Sequence, residues 1–155
     1  MQRRTFLKGT MASSAVAIAA GAGLLSPSSV LAAAWPQAAF EAKSVDDALN
    51  NLLGSANNTP SSDIKIKAPD IAENGAVVPV SVSSSIAGVE SIAIIASKNG
   101  TPLAANFRLG ANAKADVSTR IKMGKTSDII AIVKAGGKVH STRKNVKVTI
   151  GGCGG

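Results

Sequence analysis

From Asp63 to the end of the chain, apolar residues return at every second position, and turn residues break the pattern about every ten positions. A chain written this way folds into short strands, because only a β-strand sends alternate side chains to opposite faces. Ile64, Ile66 and Ala68 alternate with Lys65 and Lys67 and stop at Pro69. Val78, Val80 and Val82 alternate with Pro79, Ser81 and Ser83. Proline has no N–H to give to a ladder, so this strand is expected at a sheet edge or through a bulge. Val89–Ala96 is a third strand. Leu103, Ala105, Phe107 and Leu109 mark a fourth, and Val117, Thr119, Ile121 and Met123 a fifth, with Arg120 and Lys122 on its other face. Ile129–Ala135 is apolar almost throughout, and Lys138–Ile150 completes the set. The turns are Glu73-Asn74-Gly75, where Asn-Gly is a strong hairpin signal, Asn99-Gly100 and Gly136-Gly137. About seven strands without crossover helices predict an all-β fold, an immunoglobulin-like β-sandwich, and argue against an α/β sheet.

A short helix precedes the strands. Ser44 is an N-cap with Asp47 three residues later, Val45, Ala48, Leu49, Leu52 and Leu53 keep helical spacing, and Gly54 ends the run. The helix is expected at about 44–53. Ala34–Ala42, with Trp35, Pro36 and Phe40, is amphipathic material that packs on the domain or on a partner, and Asn57–Ser62 reads as a polar loop. The domain boundaries are therefore 35–150, followed by a flexible arm at 151–155.

Residues 1–34 read as an export signal. Arg3 and Arg4 precede Thr5-Phe6-Leu7-Lys8, an apolar run from Met11 to Leu25, and small residues at Ala32-Ala33-Ala34 where cleavage is expected. The paired arginines make it a twin-arginine signal, read by the machinery that exports folded proteins, and the mature protein is expected in the periplasm. The apolar run is shorter than the roughly 20 residues that span a bilayer, and no lipid-acceptor cysteine follows, so no stable membrane association is expected. Of the net charge of +8, three leave with Arg3, Arg4 and Lys8, and +5 remains. That balance favours anionic partners or substrates. The lysines alternate with apolar residues along strands, which does not suit nucleic acid.

The chemistry is sparse. His140 is the only histidine, on what reads as a solvated strand edge, and one His with one Cys is too few for a zinc site. No phosphate-cradling loop, metal cluster or cofactor motif is present, and no catalytic residues group together. The reactive group that remains is Cys153, the single cysteine, so no internal disulfide can form. It stands in Gly151-Gly152-Cys153-Gly154-Gly155. Glycine resists ordering because fixing it loses the most backbone entropy, and an extended chain would let Cys153 reach about 10 Å beyond Ile150. An exposed thiol ionises near pH 8.5 and is only a few per cent thiolate at neutrality, so its activation must come from whichever site it enters.

Val146-Lys147-Val148-Thr149-Ile150-Gly151-Gly152-Cys153-Gly154-Gly155 resembles the C-terminus of the SoxY family, the sulfur-compound carriers of periplasmic thiosulfate oxidation. Pro69-Asp70-Ile71-Ala72-Glu73-Asn74-Gly75-Ala76-Val77-Val78-Pro79-Val80 and Arg120-Ile121-Lys122-Met123-Gly124 resemble the same family, so the likeness runs from about Ala42 to the end. It implies a non-catalytic carrier, paired as a heterodimer with a SoxZ-type subunit that lacks its own export signal. It implies that a c-type cytochrome joins thiosulfate to Cys153, that a hydrolase releases sulfate, and that in some systems a sulfane dehydrogenase oxidises the remaining persulfide sulfur. Two other readings are weaker. A structural or binding sandwich domain leaves the glycine-flanked thiol unexplained, and ubiquitin-like Gly-Gly carriers use ATP in the cytoplasm, whereas this chain carries an export signal. Cys-Gly-Gly is also one residue short of a prenylation site.

Overall fold

The computed structural model describes residues 35–149. Two helices, α1 (Gln37–Glu41) and α2 (Val45–Leu53), come first. They are followed by β1 (Thr59–Pro60), β2 (Ile64–Lys67), β3 (Ile71–Ala72), β4 (Val78–Ser84), β5 (Val89–Ala96), β6 (Leu103–Arg108), β7 (Asp116–Ile121), β8 (Ser127–Ala135) and β9 (Lys138–Val148). The strands make two sheets. The larger has the order β1-β9-β8-β5-β6, with β3 added beside the end of β9, and the smaller has the order β2-β4-β7. Neighbours are antiparallel except β1 and β3, which run parallel to β9. The expected β-sandwich is the observed fold.

The core lies between the sheets. Val78, Val80 and Val82 of β4 and Ile121 of β7 meet Ile92 and Ile94 of β5, Ile129 and Val133 of β8 and Val146 of β9. The large sheet is also covered on its other face, where Ala93, Ile95 and Ile132 pack against Ala39, Ala48 and Leu49 of the helices. This second layer explains why β5 and β8 are apolar almost throughout: both faces are buried, so alternation gives way to continuous burial. Each fully buried Ile contributes roughly 1.5–3 kcal/mol relative to an exposed one, and β5 supplies such residues to both clusters, Ile92 and Ile94 to one and Ile95 to the other.

Helix α2 forms as expected. The Asp47 N–H donates to Ser44 Oγ at 3.0 Å, and Gly54 ends the helix at φ +79°, where its N–H donates to the Asn50 carbonyl at 2.9 Å. The tight two-residue hairpin also falls where two glycines stand. Gly136 (φ +55°) and Gly137 (φ +74°) join Ala135 to Lys138 in the left-handed conformation that such a turn needs.

Four expectations are corrected. Strand β4 is central in the small sheet, not an edge strand. Pro79 is tolerated because β2 ends at Lys67 opposite Ser81, so at Pro79 the strand has β7 as its single neighbour. Asn74-Gly75 turns the chain, with Asn74 Oδ1 accepting from the Ala76 N–H at 2.9 Å, yet it closes no two-residue hairpin. The chain first leaves the small sheet to place β3 on β9, and Gly75 does not have positive φ. The polar stretch Asn57–Ser62 contains β1, whose Thr59 and Pro60 pair with His140 and Ser141. His140 is consequently half-buried inside the sheet, with β1 on one side and Val133 of β8 on the other, and not at a solvated edge.

Candidate functional site

The last described residues, Val146 to Thr149, are held from three directions. Val146 is fully buried in the core. On one side the Lys147 N–H donates to the Asp70 carbonyl at 2.9 Å, and the Thr149 N–H donates to the Ala72 carbonyl at 3.1 Å, so β3 carries the hydrogen bonding to the end of β9. On the other side Thr126 Oγ1 accepts from the Val148 N–H at 2.9 Å and donates to the Val148 carbonyl at 3.3 Å. One hydroxyl thus replaces a strand partner just beyond the last β8 pairing, Ser127 with Val146.

Gly75 completes this root by being small. The Met123 N–H donates to its carbonyl at 2.7 Å, and any Cβ at Gly75 would collide with the Met123 carbonyl oxygen and stand 2.8 Å from Val148 Cγ1. Met123 itself is buried. Next to it Asn99 ties two turns together, its Nδ2 donating to the Lys122 carbonyl at 2.6 Å and its Oδ1 accepting from the Gly124 N–H at 2.9 Å. The stretches Pro69–Val80, Arg120–Gly124 and Val146–Thr149, which stand far apart in sequence, meet at one end of the sandwich.

Lys144 Nζ donates to Asp70 Oδ1 at 2.8 Å, and this hydrogen bond, with the charge behind it, holds the exposed Asp70 carboxyl below its ordinary pKa of 3.8. Ile71 and Val77 are more than half exposed beside the root, large apolar side chains left facing solvent. Among the described residues no group of three or more His, Cys, Asp or Glu side chains is placed to hold a metal ion, and no helix is long and apolar enough to cross a membrane. Cys153, the glycines Gly151, Gly152, Gly154 and Gly155, and the signal residues Arg3 and Arg4 lie outside the described residues. Covalent geometry alone limits Cys153 to about 13–14 Å from Thr149. The alternating pattern gave no hint of Thr126, Asn99 or β3, although β3 lies in a stretch whose likeness to the SoxY family was already visible.

These features define a two-sheet β-sandwich whose final strand is fixed to its last described residue. The family described as sulfur oxidation protein SoxY matches residues 49–153, and the chain belongs to the SoxY family. Among solved structures, the sulfur carrier protein SoxY from Chlorobium limicola f thiosulfatophilum is 43% identical, with a TM-score of 0.64, covering 74% of this chain and 99% of that one. A superoxide reductase (neelaredoxin) from Ignicoccus hospitalis is 21% identical, with a TM-score of 0.50, covering 56% of this chain and 80% of its own; at that identity the likeness concerns the fold alone. No curated protein sequence matches the chain.

Proposed function

We propose that the protein is a covalent carrier in sulfur oxidation and that Cys153 is the attachment point. The observation that carries this reading is the placement of the single thiol: it follows by five residues Val148, the end of a strand anchored on both sides, by β3 and by Thr126. A rigid root followed by a glycine-flanked cysteine lets one sulfur visit several enzymes without unfolding the domain. The Cys153 thiol and thiosulfate are joined with loss of one proton and two electrons to a c-type cytochrome, giving Cys–S–S–SO3⁻. Hydrolysis then adds water, releases sulfate and a proton, and leaves a persulfide, which a sulfane dehydrogenase oxidises in systems that have one. The partner enzymes do the chemistry, and the carrier holds the substrate. A leader with Arg3 and Arg4 supports export to the periplasm in folded form, together with a SoxZ-type subunit. The exposed Ile71 and Val77 beside the root support a docking role for that end of the sandwich.

Reconstitution tests the reading. With cytochrome, hydrolase and SoxZ-type subunit supplied, Cys153→Ser abolishes thiosulfate-dependent electron transfer while the melting temperature stays unchanged. Turnover by Cys153→Ser at the wild-type rate overturns the assignment.

A further inference from the structure

Next to the root, the β5–β6 and β7–β8 turns enclose an open cleft of about 610 Å³ lined by Lys43, Lys98, Asn99, Thr101, Lys122 and Lys125, with the main chain of Gly100 and Gly124. Four exposed lysines line it, and no aspartate or glutamate does. Among the described residues none of the four lysines takes part in an ion pair. Chains usually intersperse acids among such lysines, because like charges brought together repel. The cleft is also organised: Asn99 fixes the turn carrying Lys98 against that carrying Lys122 and Lys125 through its two side-chain hydrogen bonds. It adjoins the root, since Lys125 precedes Thr126, the residue bonded to Val148.

We propose that this cleft is a binding site for tetrahedral sulfur oxyanions, holding the sulfonate end of thiosulfate or sulfate itself through Lys98, Lys122 and Lys125. Lysines carried on turns that Asn99 holds together, with no acid among them, concentrate small anions. The anion has two possible sources, free in solution or tethered to Cys153 as Cys–S–S–SO3⁻. The tethered case rests on the carrier reading above, and the free case does not.

The test is an amide NMR titration of the ¹⁵N-labelled full chain with sodium thiosulfate and with sodium sulfate, ionic strength being held constant with sodium chloride. Saturable shifts are expected at Asn99, Gly100, Thr101, Gly124 and Lys125, and they persist in Cys153→Ser. Combining Lys98→Gln, Lys122→Gln and Lys125→Gln weakens binding at least tenfold, whereas combining Lys65→Gln and Lys67→Gln on the small sheet leaves it unchanged. For the tethered source, tetrathionate loads the cysteine: the thiolate attacks a central sulfur, forms Cys–S–S–SO3⁻ and releases thiosulfate. After desalting removes tetrathionate and the released thiosulfate, the same amides then shift with no sulfur oxyanion in solution. Shifts with either source uphold the site and identify its occupant. Shifts that fail to saturate with either, or that survive the three lysine substitutions, overturn it. Saturation by a glutamate-rich peptide but by neither oxyanion also overturns it, in favour of an acidic protein partner.

Discussion

The hydroxyl of Thr126 makes both main-chain hydrogen bonds of Val148, accepting at 2.9 Å and donating at 3.3 Å. A side chain thus does the work of a strand partner on the side of β9 where β8 has already ended, opposite β3. Thr126→Val keeps the shape and removes both bonds. A typical net hydrogen bond contributes about 1 kcal/mol, so the Val148 amide is expected to exchange with solvent about fivefold faster while core amides such as Ile94 are unaffected. Unchanged exchange at Val148 would show that β3 alone holds the root.

Gly75 is a packing glycine, not a turn glycine. Its backbone does not occupy the left-handed region, so alanine is conformationally permitted, but the added methyl meets the Met123 carbonyl and Val148 Cγ1. Overpacking of this kind costs about 1–3 kcal/mol. Gly75→Ala should lower the melting temperature by roughly 3–10 °C, whereas alanine in place of the open Gly100 leaves it within about 2 °C. Equal effects at the two positions would remove the distinction.

The Asp70–Lys144 pair sets a pH dependence whose sign follows from its direction. Lys144 lowers the Asp70 pKa in the folded state, so the pair stabilises the fold above the ordinary carboxylate range and loses that contribution as pH falls through the depressed value. With Asp70 exposed, the effect is small. Melting curves of wild type and Asp70→Asn should differ at pH 6 and converge as the pH falls below the ordinary value of 3.8. A difference that grows towards low pH would reverse the assignment.

What could be read from the sequence was what repeats over several residues. The strands with alternating or continuous apolar runs, the Ser44 cap, the Gly54 stop and the Gly136-Gly137 hairpin all rest on local patterns, and all are present. The two-residue strands β1 and β3 have no periodicity to detect, because their pairing is decided by residues far along the chain: the Asp70 side chain finds Lys144 74 positions away. The same limit misplaced β4, since an edge inferred from Pro79 assumes that the neighbouring strand runs the full length of its partner, and β2 does not. At the site, Cys153 was legible as a lone thiol among glycines, while the clasp of Asp70, Ala72, Gly75 and Thr126 around the end of β9 depends on tertiary contacts that no local pattern records.

Carriage of sulfur by Cys153 is tested most directly by intact-mass and peptide mass spectrometry of the protein purified, without reductant, from cells oxidising thiosulfate. A population bearing thiosulfonate or persulfide on the peptide that contains Cys153, and returning to the free thiol on reduction, is the predicted result. Free thiol alone at Cys153 in actively oxidising cells would contradict it.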